Sequence, residues 1–107
     1  MEIRYILLEE VTAGEPVSDG LLEELLALDL VRYRREPPAR VLIEESHCET
    51  LRTMLRLATD LGINAAGVET IIHMRGRLSD LQREVRRLRQ VEAAYHALRP
   101  ATEIEQI

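Results

Sequence analysis

Residues 61–88, LGINAAGVETIIHMRGRLSDLQREVRRL, carry the pattern that decides the fold of this 107-residue chain. Asn64 is placed to cap a helix, because an N-cap side-chain oxygen accepts hydrogen bonds from the backbone N–H groups of the first turn. No proline follows before Pro100, so we predict a helix that continues to about Arg99. Such a helix is about 54 Å long at about 1.5 Å per residue. Its distal half should project beyond a domain built from the preceding residues, and its apolar side then needs a second chain.

The apolar residues of this segment are spaced as in a coiled coil. Steps of three and four alternate along a set that we call the seam: Ile71, Met74, Leu78, Leu81, Val85 and Leu88. Charged residues flank the seam, with Asp80–Arg83 and Glu84–Arg87 at i,i+3 spacing. We predict that the seam is a homodimer interface, in a parallel or antiparallel coiled coil to which the globular part also contributes. The alternative is a helix that folds back on its own domain.

Length and composition predict one small domain plus an extension. We expect a head at residues 1–62, a long helix at 63–99 and a tail at 100–107. The single Cys48 excludes an internal disulfide and is typical of a reducing compartment. No signal-peptide pattern and no apolar run of about 18 residues occurs, so we expect no membrane insertion. The expected location is the bacterial cytoplasm, with association to the nucleoid through a partner left open.

The net charge of −5 is unevenly distributed along the chain. Residues 1–70 contain seven arginines and 14 acidic residues, whereas residues 71–107 contain seven arginines and five acidic residues. Nucleic-acid binding depends largely on Lys and Arg side chains that neutralise phosphates. The acidic head therefore disfavours nucleic acid as a partner and favours a basic protein surface.

The first part of the head is predicted to be helical. Residues 5–13 should form a short helix, followed by a turn at residues 14–17. Ser18 is placed to cap a second helix, which we predict from Asp19 to about Asp29. The inward apolar arc of this helix is predicted to be Leu21, Leu22, Leu25 and Leu28. The opposite, polar face carries Asp19, Glu23 and Glu24, with Leu26 at its edge.

The second part of the head contains a predicted hairpin and a third helix. Residues 31–34 and 41–43 should form two short strands, joined by a turn at residues 36–39. Residues 46–49, Ser-His-Cys-Glu, match a capping box and should begin the helix. Its apolar stripe is predicted to be Leu51, Met54, Leu55, Ala58 and Leu61.

The predicted order of helix, turn, helix, two-stranded wing, helix and long helix is that of a MerR-type winged helix-turn-helix. The chain resembles the bacterial chaperone-modulator proteins (CbpM-like), small relatives of the MerR regulators. The resemblance covers about residues 3–92 and is carried by VSDGLLEELLALDLV at 17–31, the hairpin at 32–43 and LRLATDLGINAAGVETIIHMRGRLSDL at 55–81. It implies a mainly α fold, a MerR-like winged helix-turn-helix with a small two-stranded wing and a long C-terminal dimerisation helix.

The function implied by the resemblance is regulation of a J-domain co-chaperone. Such modulators bind the J domain of a DnaJ-type protein and block its stimulation of the DnaK-type chaperone ATPase. The J domain presents a basic helix to its chaperone, and an acidic surface here could compete for that helix. We therefore predict a partner-binding surface at Asp19, Glu23, Glu24 and Leu26.

The alternative is a MerR-family DNA-binding transcriptional regulator. In that family the second helix of the helix-turn-helix enters the major groove, where Arg, Lys, Asn and Gln read base edges. Residues 19–29 contain four acidic residues and no basic one. The candidate phosphate contacts lie on the hairpin instead: Arg32, Arg34, Arg35 and Arg40. Four such contacts would give a salt slope of only about −3.6, and solvated hairpin charge explains the same arginines.

Enzymatic and metal-binding functions have weaker sequence support. His47 and Cys48 are adjacent, but adjacency on a helix points two side chains apart, and no CxxC pair occurs. Glu69 and His73 have i,i+4 spacing without a second pair to complete a metal site. No phosphate-binding loop or nucleophile motif is found. We expect no enzyme activity, no cofactor and no metal, and a plain assembly module with a solvated acidic helix is a third possibility.

Overall fold

The computed structural model describes residues 2–13, 15 and 17–98. In chain order its elements are β1 (Tyr5–Leu7), α1 (Leu8–Val11), α2 (Asp19–Leu26), β2 (Tyr33–Glu36), β3 (Arg40–Glu44), a 3₁₀ turn (Glu45–His47), α3 (Cys48–Thr59) and α4 (Ala65–Leu98). The chain divides into a first unit, which ends at His73, and a second unit, which begins at Met74. The division therefore falls inside α4, about three turns after the boundary at residues 62–63 that the sequence suggested.

The segment from Tyr5 to Leu7 is a strand, so the prediction of one helix over residues 5–13 is wrong for its first part. This strand pairs antiparallel with β3, with Ile6 opposite Ile43. Aromatic and β-branched residues suit a pleated, half-buried surface, and pairing with the free edge of β3 decides the conformation. The helical part is a single turn, α1.

The hairpin of β2 and β3, which we call the wing, belongs to a three-stranded antiparallel sheet with the order β1-β3-β2. Arg34 lies opposite Leu42, and Glu36 lies opposite Arg40 across the hairpin end. The two strands begin and end close to the predicted positions, except that Val31 precedes β2 and is buried in the core. The expected two-stranded wing is therefore extended by β1.

Helix α2 begins as the sequence predicts. Ser18 is its N-cap, and the backbone N–H of Leu21 donates a hydrogen bond to Ser18 Oγ at 3.2 Å. The helix ends at Leu26, three residues before the predicted end. Asp29 has a φ of 61°, a left-handed conformation that a continuing right-handed helix excludes. Gly14 and Pro16 of the predicted turn lie outside the described residues.

The start and end of α3 differ from the prediction. Ser46 Oγ donates to Glu44 Oε1 at 2.9 Å instead of capping the helix, and the side chain of the N-cap residue His47 makes no capping hydrogen bond. The capping box is therefore wrong, because residues 45–47 form a 3₁₀ turn first. Leu61 lies beyond the helix end and is 68% exposed, so it does not continue the buried stripe.

The corner between α3 and α4 confirms the predicted cap. The backbone N–H of Gly67 donates to Asn64 Oδ1 at 2.9 Å. A Cβ added at Gly67 would lie 2.6 Å from Ile63 Cγ2, so the corner has no room for a larger residue there. Gly62 has a φ of +65°, which favours glycine. The glycines of this motif are thus explained by backbone conformation and close packing.

A single apolar core holds the first unit together. It combines residues from α1, α2, β3, α3 and the first turn of α4. Its buried members are Val11, Leu25, Leu26, Val31, Ile43, Cys48, Leu51, Met54, Leu55 and Val68. Because Val68 is fully buried, the N-terminal turn of α4 is part of this core.

Helix α4 has 34 residues and is continuous from Ala65 to Leu98. This length confirms the prediction that the helix runs far beyond the corner. The residues from 99 onward, including the predicted tail at 100–107, lie outside the described residues.

Candidate partner-binding and self-association surfaces

The acidic side chains of α2 lie on the surface of the first unit. Asp19, Glu23 and Glu24 are all exposed. Their positions follow from the burial of Leu25 at the opposite side of the helix, because residues of an amphipathic helix share a face at intervals of three and four. The structure thus leaves these three predicted residues accessible to a partner.

Leu26 is not part of that surface. Its side chain is only 3% exposed and belongs to the core cluster. The prediction that Leu26 lies at the edge of the polar face is therefore wrong. The reason is that residues outside α2, among them Val11 and Val31, belong to the same core cluster as Leu26, so two consecutive leucines, Leu25 and Leu26, are both buried.

The two predicted charged surfaces meet in one ion pair. Arg35 Nη2 of the wing lies 2.7 Å from Glu23 Oε2 and 3.0 Å from Glu23 Oε1. This hydrogen bond, together with the charge of Glu23, raises the pKa of the Arg35 guanidinium. Glu23 and Arg35 therefore neutralise each other and tie the wing to α2. The sequence does not reveal this pair, because its members are separated by 12 positions and belong to different elements.

The other predicted phosphate contacts are exposed side chains of the wing and of the segment before it. The Arg34 guanidinium stacks over the Tyr5 ring at 4.5 Å, and Arg34 Nη2 lies 3.7 Å from Glu36 Oε2. The backbone N–H of Arg32 donates to His47 Nδ1 at 2.7 Å, so His47 fixes the chain at the start of the wing. Among the described residues, Arg40 has no ion-pair partner.

Most of the seam forms an exposed apolar stripe in the second unit. Met74, Leu78, Leu81, Val85 and Leu88 are between 45% and 63% exposed. Ile71, which belongs to the first unit, is half-buried. The stripe continues beyond the predicted seam through Val91, Tyr95 and Leu98, which are also exposed. Exposed apolar patches of this extent are typical of interaction surfaces.

Ion pairs lie beside the seam at the predicted spacing. Arg83 Nη2 is 2.6 Å from Asp80 Oδ1, and Arg87 Nη2 is 2.6 Å from Glu84 Oε1. The hydrogen bond from Arg87 lowers the pKa of Glu84. These exposed pairs stabilise the helix itself and leave its apolar stripe free.

The residues considered for metal binding and for chemistry include His47, Cys48, Glu69 and His73. In the described part of the chain, no group of three or more His, Cys, Asp or Glu side chains is placed to hold a metal ion. Cys48 is buried and its thiol donates to the Glu44 carbonyl oxygen at 3.6 Å, while His47 accepts the Arg32 N–H. Both side chains of the adjacent pair therefore have structural contacts.

Within residues 2–13, 15 and 17–98, no helix combines the necessary length and apolar character to cross a membrane. Charged residues flank the exposed stripe of α4.

Comparison with known proteins identifies the family of the chain. No curated protein and no solved structure matches the chain significantly. A family model described as "MerR HTH family regulatory protein" matches residues 6–90, a range that includes α2, the wing, α3 and most of α4. Since the match covers well over half of the sequence, the chain belongs to the MerR helix-turn-helix family of regulatory proteins.

Proposed function

We propose that this chain is a chaperone modulator, which binds the J domain of a DnaJ-type co-chaperone and inhibits its stimulation of the DnaK-type chaperone. The observation that carries the proposal is the charge of α2. The second helix of a helix-turn-helix is the one that reads DNA; the second helix of this chain is α2, and its exposed side chains include Asp19, Glu23 and Glu24 but no basic residue. In this proposal the chain is a binding protein and not an enzyme.

Electrostatics favours a protein partner over DNA at this helix. Phosphates repel carboxylates, and base edges are read mainly by Arg, Lys, Asn and Gln side chains. A basic protein surface meets the same carboxylates with complementary charge. The J domain, which presents a basic helix to its chaperone, is such a surface.

The wing supplies fewer phosphate contacts than its composition suggests. Arg35 is paired with Glu23, and Arg34 stacks on Tyr5. If these two arginines keep their contacts, Arg32 and Arg40 are left, and two phosphate contacts give a salt slope of about −1.8. This is half the slope expected from four arginines and supports only weak, non-specific binding.

Self-association through the seam is the second part of the proposal. The exposed leucines of α4 are spaced for knobs-into-holes packing, and a second copy of the chain brings an identical stripe. A homodimer would bury both stripes and carry two copies of the acidic α2. The modulator would then act as a dimer on its J-domain partner.

Titration calorimetry of the full chain against the J domain encoded in the same genome tests the proposal. We expect binding that weakens as salt rises, because exposed charges are screened beyond a Debye length of about 8 Å at physiological ionic strength. A J-stimulated ATPase assay with the DnaK-type chaperone should show inhibition at the same concentrations.

A different result would support the alternative function. If calorimetry detects no binding to the J domain and the chain binds a DNA operator, it is a MerR-family DNA-binding transcriptional regulator instead. The salt slope of that DNA binding would then count the phosphate contacts that the wing arginines make.

A further inference from the structure

A groove of about 500 Å³ lies between α1, α2 and the wing. The wing contributes the end of β2, the turn at residues 37–39 and the start of β3. All of these elements belong to the first unit. The groove therefore lies directly beside the acidic face of α2.

The floor of the groove is apolar. Leu8 of α1, Leu22 and Leu26 of α2 and Val41 of β3 line it. Leu26 is buried, while the other three are half-buried and pack against the core below. The floor thus offers an apolar contact surface that is continuous with the core of the first unit.

The rim of the groove is charged and predominantly acidic. Its acidic residues are Glu9, Asp19, Glu23 and Glu36, and its basic residues are Arg35 and Arg40. Glu23 is neutralised by Arg35, and Glu36 lies near Arg34. Glu9 and Asp19 have no ion-pair or hydrogen-bond partner for their side chains among the described residues. Within the described part of the chain, two unpaired carboxylates, Glu9 and Asp19, and one unpaired guanidinium, Arg40, therefore border the apolar floor, and the rim keeps an excess of negative charge.

We infer that this groove receives the apolar face of a basic amphipathic helix from the J domain, with Lys or Arg side chains placed against Glu9 and Asp19. This inference rests on the proposed function and names the surface that performs it. An amphipathic helix that lays its apolar face in a hydrophobic groove is a recurring mode of recognition. A helix is about 10–12 Å across with its side chains, so an open groove takes one face and leaves the charged flanks at the rim.

The chain offers a matched pair of variants for the test. Glu9→Gln with Asp19→Asn removes two charges that line the groove. Glu10→Gln with Glu15→Gln removes two charges from exposed residues of the same unit that lie outside the groove and outside the predicted partner-binding surface. The two double variants have the same net charge, so a difference between them reports the position of the charges and not their number.

The measurement is calorimetric affinity of the full chain for the J domain at one fixed salt concentration. We expect the groove variant to bind about tenfold more weakly and the control variant to lose less than about threefold through general electrostatics. Circular dichroism and thermal unfolding should show that both variants keep the wild-type fold.

A second pair of variants tests the groove sterically. Ala39 is exposed in the turn of the wing and lines the groove, whereas Ala27 is exposed at the end of α2 and does not. Ala39→Arg places bulk and positive charge at the groove mouth and should weaken J-domain binding about as much as the groove double variant. Ala27→Arg, which adds the same side chain elsewhere, should leave the affinity within about threefold of wild type.

The possible failures are distinguishable. If the wild-type chain does not bind the J domain at all, the proposed function itself is overturned. If the wild-type chain binds but both members of each pair weaken binding equally, or neither does, the groove is not the contact. The J-domain proposal would then stand with its interface on another surface.

Discussion

Apolar residues at helical spacing are buried in the first unit but exposed in the second unit. Leu51 and Leu55 of α3 are buried almost completely in the core, whereas Leu81 and Leu88 of α4 remain more than half exposed. Both pairs belong to apolar stripes at helical spacing, so the spacing alone does not decide burial. The difference lies in what surrounds each helix: α3 is covered by α1, α2 and β3, while the described residues supply no cover for the distal part of α4.

This contrast assigns different roles to the two stripes. The stripe of α3 completes a core within one chain, and its residues determine whether the first unit folds. The stripe of α4 is left over after that core is closed, and in our proposal a second copy covers it. Substitutions in the two regions should therefore have different signatures, in monomer stability for the first unit and in association for the second.

The largest expected effect breaks the proposed dimer. Leu81→Glu combined with Leu88→Glu places two carboxylates per chain in the seam, and burial of unpaired charges costs several kcal/mol per ion. We expect dissociation to monomers, with a dimer affinity at least about a thousandfold lower. Static light scattering across a concentration series measures this directly.

The matched control adds the same charge to the same helix away from the seam. Ser79→Glu with Gln90→Glu changes two exposed positions that do not belong to the apolar stripe, and it should remain dimeric. If the seam variant stays dimeric as well, self-association resides in the first unit and the exposed stripe of α4 has another partner.

Local capping signals in the sequence were sufficient to predict both helix starts that depend on one side chain. The side chains of Ser18 and Asn64 accept hydrogen bonds from the backbone N–H groups of the residues three positions later. Such contacts depend only on neighbouring residues. The long α4 was also predictable, because no proline interrupts its pattern. These two local starts are therefore visible from the sequence, whereas the capping box predicted at residues 46–49 is wrong, because Ser46 Oγ donates to Glu44 instead.

Features that depend on distant residues were not visible. Residues 5–7 are a strand because β3 offers them an edge, and β3 follows more than 30 positions later. Leu26 is buried in a core cluster to which several elements contribute, and Arg35 of the wing reaches Glu23 of α2 across 12 positions of sequence. The groove combines residues of α1, α2 and the wing, so no spacing rule within a single element could have found it.

A smaller effect on stability is expected when one glycine of α4 is replaced by alanine in each unit, Gly67 in the first and Gly76 in the second. Gly67→Ala introduces a Cβ at 2.6 Å from Ile63 Cγ2, whereas a Cβ at Gly76 would meet nothing within 4 Å. Gly76→Ala should stabilise the protein by up to about 1 kcal/mol, the helix-propensity difference. Gly67→Ala should destabilise it by about 1 kcal/mol, because overpacking outweighs the gain in propensity.

Urea unfolding of both glycine variants at one protein concentration shows whether each substitution raises or lowers the free energy of unfolding. A stabilising effect at both positions would contradict the close-packed corner, since it would mean that Ile63 can move away without cost. Destabilisation at both positions would instead indicate that Gly76 is needed in the dimer.

The smallest expected effect is a change of stability with pH that comes from Cys48. Its thiol is buried in the core of the first unit. Burial raises the pKa of the Cys48 thiol; nearby Arg52 opposes the shift and Glu45 adds to it. The folded state therefore holds the thiol proton more tightly than the unfolded state does. This contribution to stability is complete below the ordinary thiol pKa and is lost as pH rises through the raised value.

The corresponding measurement is urea unfolding of the wild-type chain and of Cys48→Ala between about pH 7 and pH 10, a range that spans the ordinary thiol pKa. The free energy of unfolding should fall more steeply with pH in the wild type, and the difference between the two slopes gives the contribution of the Cys48 thiol.

The rate of alkylation by iodoacetamide is a second measure of the burial of Cys48. Cys48 should react slowly while the first unit is folded, whereas the thiol introduced by Ser79→Cys in a Cys48→Ala background should react at once on the exposed helix. Equal reaction rates would show that the core around Cys48 opens as readily as the surface of α4, and the contrast between the two units would not hold.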